Sequence, residues 1–431
     1  MNGTRLVLAL SLSVLGLPFL AGETPAQEAG EQLCGTCKTT GKVAVDVNKK
    51  YAVDHEHGED GEWEVLFCAD AIESDNMALD WKVCRRCKTP SKKEKAEAEY
   101  AAIEKAKLEW LDERRKVDEQ IDSEMAHVET THFIVSWNVP KITTSKKKTY
   151  RPHDAAHLYA RRMEELYAKY KKLTKTEDRQ YMRTKHFFYV VEKEREALTL
   201  GPIYTGLSGR GTVKRAGGVD KQSAVVMWRA KSEHPSDADF HRHWIHSAIH
   251  QFTSCYYDIK WFGVGEKGLS PPWLNDKYGW LDAGLAHWFE WDFDGECSTF
   301  CIREQDSKAR WRGGDWKKNI WKSVMAEDTP SFPEVITKPT QALTAREHQF
   351  VWSWVDFLMD KDHEAMGTAM KIAKMDRPTR DMLKEAWGLT TFGFETQWAE
   401  WVQTEYAPSN KEGKIDPRTR DLPRTNRGQT R

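Results

Sequence analysis

The sequence predicts an α+β protein whose strands and helices are largely segregated along the chain. Three observations carry this. Runs of apolar, β-branched and aromatic residues at Thr131–Trp137, His186–Val191 and Ala224–Ala230 read as strands, and all fall before residue 231. From Phe240 onward the apolar spacing is helical. Two CxxC pairs, Cys34/Cys37 and Cys84/Cys87, bracket short strand-like stretches that read as a separate small β module.

The chain opens with the pattern of an export signal, expected over residues 1–26. Arg5 supplies a positive start, Leu6–Leu20 is apolar, and Ala21, Gly22 and Ala26 are small. That apolar run is shorter than the roughly 20 residues a membrane-spanning helix needs. No cysteine follows it closely to take a lipid. The expected location is periplasmic, cell-envelope or extracellular, with no membrane span after signal cleavage. The net charge of −1 gives no electrostatic case for nucleic acid as a partner. Nineteen tryptophans in 431 residues imply a core or cleft rich in aromatic surface.

Residues 27–90 form the expected cysteine-rich module, with strands at Lys42–Val47, Trp63–Phe67 and Asp80–Val83. Cys34, Cys37, Cys84 and Cys87 resemble the two knuckles of a zinc ribbon, a Cys₄ site above a small antiparallel sheet, and zinc is the cofactor this implies. Structural disulfides and a redox-active CxxC remain open alternatives, since an exported chain permits both. Cys68 and Cys255 read as buried thiols. Cys297 and Cys301 stand four apart, either on a helix or as a disulfide in a turn.

Residues 91–128 are highly charged. Ile103, Trp110 and Val117 recur at seven-residue spacing with Leu111 and Ile121 beside them, which predicts one amphipathic helix. A main domain follows over residues 129–406. It opens strand–helix–strand, the helix spanning His153–Lys172, and its third strand is followed by a helix over Phe240–Ser254. Further helices are expected near 280–293, 315–326, 344–359, 363–374, 379–387 and 393–405. This order suggests a small sheet leading into a helical half. From Ala407 to Arg431 the chain turns polar and reads as a disordered tail.

The chemistry-bearing motif lies in that domain. His246-Ser247-Ala248-Ile249-His250 places two imidazoles one turn apart on one helix face, the spacing with which H-E-x-x-H enzymes bind zinc. Downstream runs Trp280-Leu281-Asp282-Ala283-Gly284-Leu285-Ala286-His287. Together these resemble the gluzincin-type, peptidase MA-like metallopeptidases. Further likeness comes from Glu347–Val355, Ala386-Trp387-Gly388 and Trp398 to Val402, so that the resemblance spans Thr131–Tyr406. It implies a gluzincin-like fold, and it implies that Ser247 stands where such enzymes carry the general-base Glu and Ala283 where they carry the third zinc ligand. Loss of a general base typically costs about 10²–10⁴ in rate. The expectation is therefore a catalytically inactive pseudopeptidase that binds a peptide or protein in a degenerate cleft, with no zinc at the His pair.

The resemblance also implies that Val225, Val226 and Met227 form the edge strand on which an extended peptide would pair. Two alternatives stay open. One is a metal-dependent hydrolase with a rebuilt site, His246 and His250 plus His287 or Asp282. Because residues four apart on a helix lie about 6 Å from one another, His287 is expected to reach the pair only if its helix shifts. The other is a structural cell-envelope protein.

Overall fold

Strand and helix positions follow the burial demands of each segment. The computed structural model describes residues 34, 36–38, 40–44, 63–74, 81–181, 185–207, 213–215, 223–231, 234–256, 277–299 and 315–408. The signal-like start, Cys301 and nearly all of the polar tail lie outside the described residues. The chain divides into two compact units, one of Met1–Val45 with Asp80–Ile103, the other of Asp46–Leu79 with Glu104–Arg431.

In the first unit, strand β1 (Lys42–Ala44) pairs antiparallel with β3 (Trp81–Val83). The first turns of the long helix α2 (Pro90–Ile121) belong to the same unit. Trp81 packs edge-on against Tyr100 of α2, with the Lys42 ammonium 4.1 Å over the indole and ion-paired to Glu99. Gly41 has φ +78°, and any Cβ there would strike the α2 backbone at Lys92, so no larger residue fits this approach.

The second unit is built on a six-stranded sheet. Its strands are β2 (Val65–Cys68), β4 (Ala126–Thr130), β5 (Phe133–Trp137), β8 (His186–Val191), β9 (Val213–Arg215) and β10 (Ser223–Trp228), in the order β2-β4-β5-β8-β10-β9. The central strands β5, β8 and β10 run parallel, and β2, β4 and β9 join antiparallel. A small hairpin, β6 (Ile142–Thr143) with β7 (Thr149–Tyr150), precedes helix α3 (Pro152–Thr174), which carries the chain from β5 toward β8.

The period-two alternation of the strands sorts their side chains between two layers. Phe133, Val135, Trp137, Phe188, Val190, Val225 and Met227 face α3 and the helical half. Ile134, Phe187, Tyr189, Val191, Ala224 and Val226 face Val117 and Ile121 of α2 and the short α4 (Glu194–Leu200). The charged helix is thus long and exposed along much of its length, yet its last turns cover the second face of the sheet.

The helical half comprises α5 (Asp237–Cys255), α6 (Gly279–Asp294), α7 (Trp316–Met325), α8 (Phe332–Val335), α9 (Ala345–Asp362), α10 (Met366–Lys374), α11 (Thr379–Trp387) and α12 (Thr391–Glu405). Ser236 starts α5 through a reciprocal cap with Asp239, and Thr344 starts α9 through the same arrangement with Glu347. Helix α6 packs along both α5 and α9.

The α+β class stands as expected, with two corrections of detail. The stretch 27–90 is not one module, because β2 and the short helix α1 (Ala69–Glu73) belong to the large unit, where β2 pairs with β4. That explains the long gap between the two CxxC pairs: it holds a strand of the main sheet. The second correction concerns β10. It lies between β8 and β9, with Ala224, Val225 and Val226 paired to Arg215, Lys214 and Val213, and Val225, Val226 and Met227 are fully buried. Among the described residues the sheet edges are β2 and β9, so Val225, Val226 and Met227 do not present a free edge.

Candidate functional site

Helices α5, α6 and α9 meet at a buried chain of titratable side chains. The 3.6-residue period of α5 turns His246 and His250 toward α6, and their Nε2 atoms stand 3.1 Å apart. His250 Nδ1 lies 2.7 Å from Asp282 of α6, whose carboxylate also accepts from the hydroxyls of Thr253 and Thr340, each at 2.9 Å. His246 Nδ1 lies 3.3 Å from Glu290 Oε2, and His287 Nδ1 lies 3.3 Å from the same oxygen. His287 Nε2 then meets His348 Nδ1 of α9 at 2.9 Å. The other Glu290 oxygen accepts the backbone N–H groups of Ser298 and Thr299 at 2.6 and 2.9 Å.

None of these six side chains is more than 3% exposed. Trp316 closes one side, its ring 5.2 Å from that of His287, and Trp352 stacks edge-on behind it. Burying carboxylates and imidazoles together is tolerable only when each is paired, and here every carboxylate oxygen named above has a donor. Cys297, just beyond the end of α6, donates to the His287 carbonyl at 3.3 Å, and burial holds its thiol well above the usual range. Helix α6 has already ended at Gly295 in the left-handed conformation, so Cys297 lies outside any helix.

His246 and His250 are therefore brought together as the motif requires. His287 also reaches the site, and α6 does not have to shift for it, because His287 meets His246 rather than His250. Asp282 orients His250 instead. Ala283 and Ser247 are buried beside them and offer no ligand or base of the usual kind. Two residues not counted among the candidate ligands complete the cluster. Glu290 supplies the carboxylate, and His348 extends the chain to α9. His246, His287 and Glu290 offer three ligand atoms within 4.8 Å of one another, a set that could hold a metal ion. The signal for Glu290 was its position three residues after His287 on one helix face. His348 had none, since its relation to α6 is set by tertiary packing.

In the small unit, Cys34, Cys37 and Cys84 are buried together, with their sulfurs close enough to share a metal ion. Cys34 Sγ and Cys84 Sγ are 3.9 Å apart. That is too far for a disulfide and close to the spacing of about 3.8 Å for two thiolates on one tetrahedral zinc, given Zn–S near 2.3 Å. Backbone N–H groups of Cys37 and Thr36 pull the Cys34 thiol down to about 6. Burial pushes Cys84 up to about 11. Cys87 packs against the trio from a half-buried position. None of the seven described cysteines is in a disulfide.

No known protein family matches the chain, and no curated protein is similar to it at a significant level.

Proposed function

We propose that this chain is an exported, catalytically inactive relative of gluzincin-type metallopeptidases, which acts by binding a peptide or protein and not by hydrolysis. The observation that carries the reading is the closed state of the helix junction. His246, His250, Asp282, His287, Glu290 and His348 are all withdrawn from solvent behind Trp316. A hydrolytic metal needs an open coordination position and room for substrate. The pairing of β10 on both sides excludes strand addition at Val225, Val226 and Met227 as the way a peptide would bind. In the small unit, the Cys34, Cys37 and Cys84 cluster, with Cys87 as fourth ligand, is read as a structural zinc site.

One arrangement favours a second reading, a metal-dependent hydrolase with a rebuilt centre. His246, His287 and Glu290 form a three-donor set of the kind catalytic zinc uses. His250, oriented by Asp282, touches this set through His246.

The test is made on the full chain, because a truncation starting at Glu129 would remove β2 from the sheet. Bound metal is counted in the wild type and in the variants His287→Gln and Glu290→Gln, and each is assayed against a mixed peptide library. No hydrolysis by the wild type supports the inactive reading, whether or not the variants lose an equivalent of metal. Hydrolysis that disappears together with that metal overturns it in favour of the rebuilt enzyme.

A further inference from the structure

A second group of metal-type ligands lies in the large unit, away from the helix junction. Cys68 is the last residue of β2, where its backbone pairs with Val128, and it also forms the cap of α1. His153 and His157 stand one turn apart at the start of α3, so one helix face carries both imidazoles. The sheet brings these elements together across more than 80 residues of sequence. His157 Nε2 lies 3.4 Å and His153 Nδ1 3.8 Å from the same sulfur, and the two rings are 4.8 Å apart. Asp70, two residues after Cys68, places Oδ2 at 2.9 Å from His153 Nδ1.

We propose that Cys68, His153 and His157 bind a divalent ion of the zinc class, with the Asp70 carboxylate, which pairs with His153, turning in to the fourth position. The donor chemistry is a thiolate, two imidazoles and a carboxylate, which suits a borderline-soft ion and not calcium or magnesium. The geometry fits as well. A thiolate and an imidazole sharing one tetrahedral zinc stand about 3.6 Å apart, from Zn–S near 2.3 Å and Zn–N near 2.05 Å. The two observed separations bracket that value. Loading requires the Cys68 thiol and His153 Nδ1 to release their protons to solvent, and the Asp70 side chain to turn from His153 toward the other two donors. An ion has a way in, because the Asp70 side chain is 52% exposed and that of His153 28%, while Cys68 and His157 form the buried floor. The site joins the short strand β2 at the sheet edge to helix α3. It is therefore a structural clamp on the sheet edge and has no link to the His246 cluster.

The test measures zinc equivalents per chain by mass spectrometry on the full-length protein and on Cys68→Ser and His157→Gln. Each variant should lose one equivalent relative to wild type while keeping the rest. The His157→Gln loss is the more telling, because that variant still has its thiol. Wild-type zinc content in both folded variants would overturn the proposal and leave a metal-free thiol–imidazole cluster. Should either variant fail to fold, wild-type protein loaded with cadmium-113 decides the matter by NMR. A resonance from a one-sulfur, nitrogen-bearing site, separate from the sulfur-rich signal of the Cys34 cluster, is expected. Its absence would equally overturn the proposal.

Discussion

Gly284 offers a direct measure of how tightly the helix junction is built. It lies on α6 where that helix crosses α9, and a Cβ at this position would come within 2.5 Å of Val355 Cγ2 and 2.6 Å of the Val351 carbonyl oxygen. In an unconstrained helix Gly→Ala stabilises by about 1 kcal/mol. Here the valine methyl could turn aside, but the carbonyl belongs to the backbone of α9 and cannot. Relief to an ordinary contact near 3.4 Å means that the two helices separate by several tenths of an ångström. Overpacking of this kind costs about 1–3 kcal/mol, and the loss of dispersion contacts along the opened seam adds to it. The seam includes the Trp291–Trp352 and His287–His348 pairs, so the cost spreads beyond the substituted residue. Gly284→Ala should therefore lower stability by about 1–3 kcal/mol, reversing the usual sign for the substitution. Urea titration followed by near-ultraviolet circular dichroism reads both the midpoint and the tryptophan packing. A midpoint equal to or above wild type would refute the close approach of α6 and α9.

Two further outcomes follow from buried charge. Burial opposes the charge on His132, but the Asp178 and Glu164 carboxylates outweigh it and hold the imidazole up to about 9, with Lys171 and His186 as the positive and titratable neighbours. A raised folded value means the stabilisation is complete below the unfolded value near 6.5 and is lost as pH rises from there through about 9. Stability should fall across that window by at most about 3 kcal/mol, less the share owed to the exposed Asp178. In His132→Gln the slope should vanish; an unchanged pH profile would argue against the pairing. Asp237, at the start of α5, accepts both terminal nitrogens of Arg162 at 2.9 Å and the Tyr159 hydroxyl at 2.8 Å. Asp237→Ala should cost about 3–5 kcal/mol by stranding the guanidinium. A double-mutant cycle with Arg162→Met should show the double variant losing less than the sum of the singles, and simple additivity would count against a coupled pair.

The elements with strong local signals were legible in the sequence. Phe187–Val191 and Ala224–Trp228 carry continuous apolar runs, and the strands expected around them differ from the observed ones by two residues at most. Strand β4 left no such signal, because His127 and Glu129 interrupt its apolar residues. The strand makes those polar groups acceptable through tertiary partners, His127 bonding Ser136 and Asp118. Strand β2 was legible as a strand but not as part of the main sheet, since four residues carry no information about which neighbour they pair with. The edge position assigned to β10 failed for the same reason. Its sequence is that of a buried strand, and the short β9 that covers it sits in a glycine-rich stretch that looks like a loop.

The arrangement of the helix junction follows from the sense in which α5 and α6 pass each other. One turn back along α5, from His250 to His246, corresponds to a forward step along α6, from Asp282 to His287 and Glu290. The helices are therefore antiparallel at this contact, and each level of α5 faces its own level of α6. Positions 283, 287 and 290 fall within about 60° of one another around α6, at about 6 and 10 Å of axial rise from the first. A group one or two turns after Ala283 on the same helix face therefore meets His246 and not the midpoint of the His pair. His287 and Glu290 do so, while Asp282 pairs with His250. The cluster of imidazoles and carboxylates therefore sits at the level of His246, where Trp316 and His348 enclose it. That placement goes together with its withdrawal from solvent.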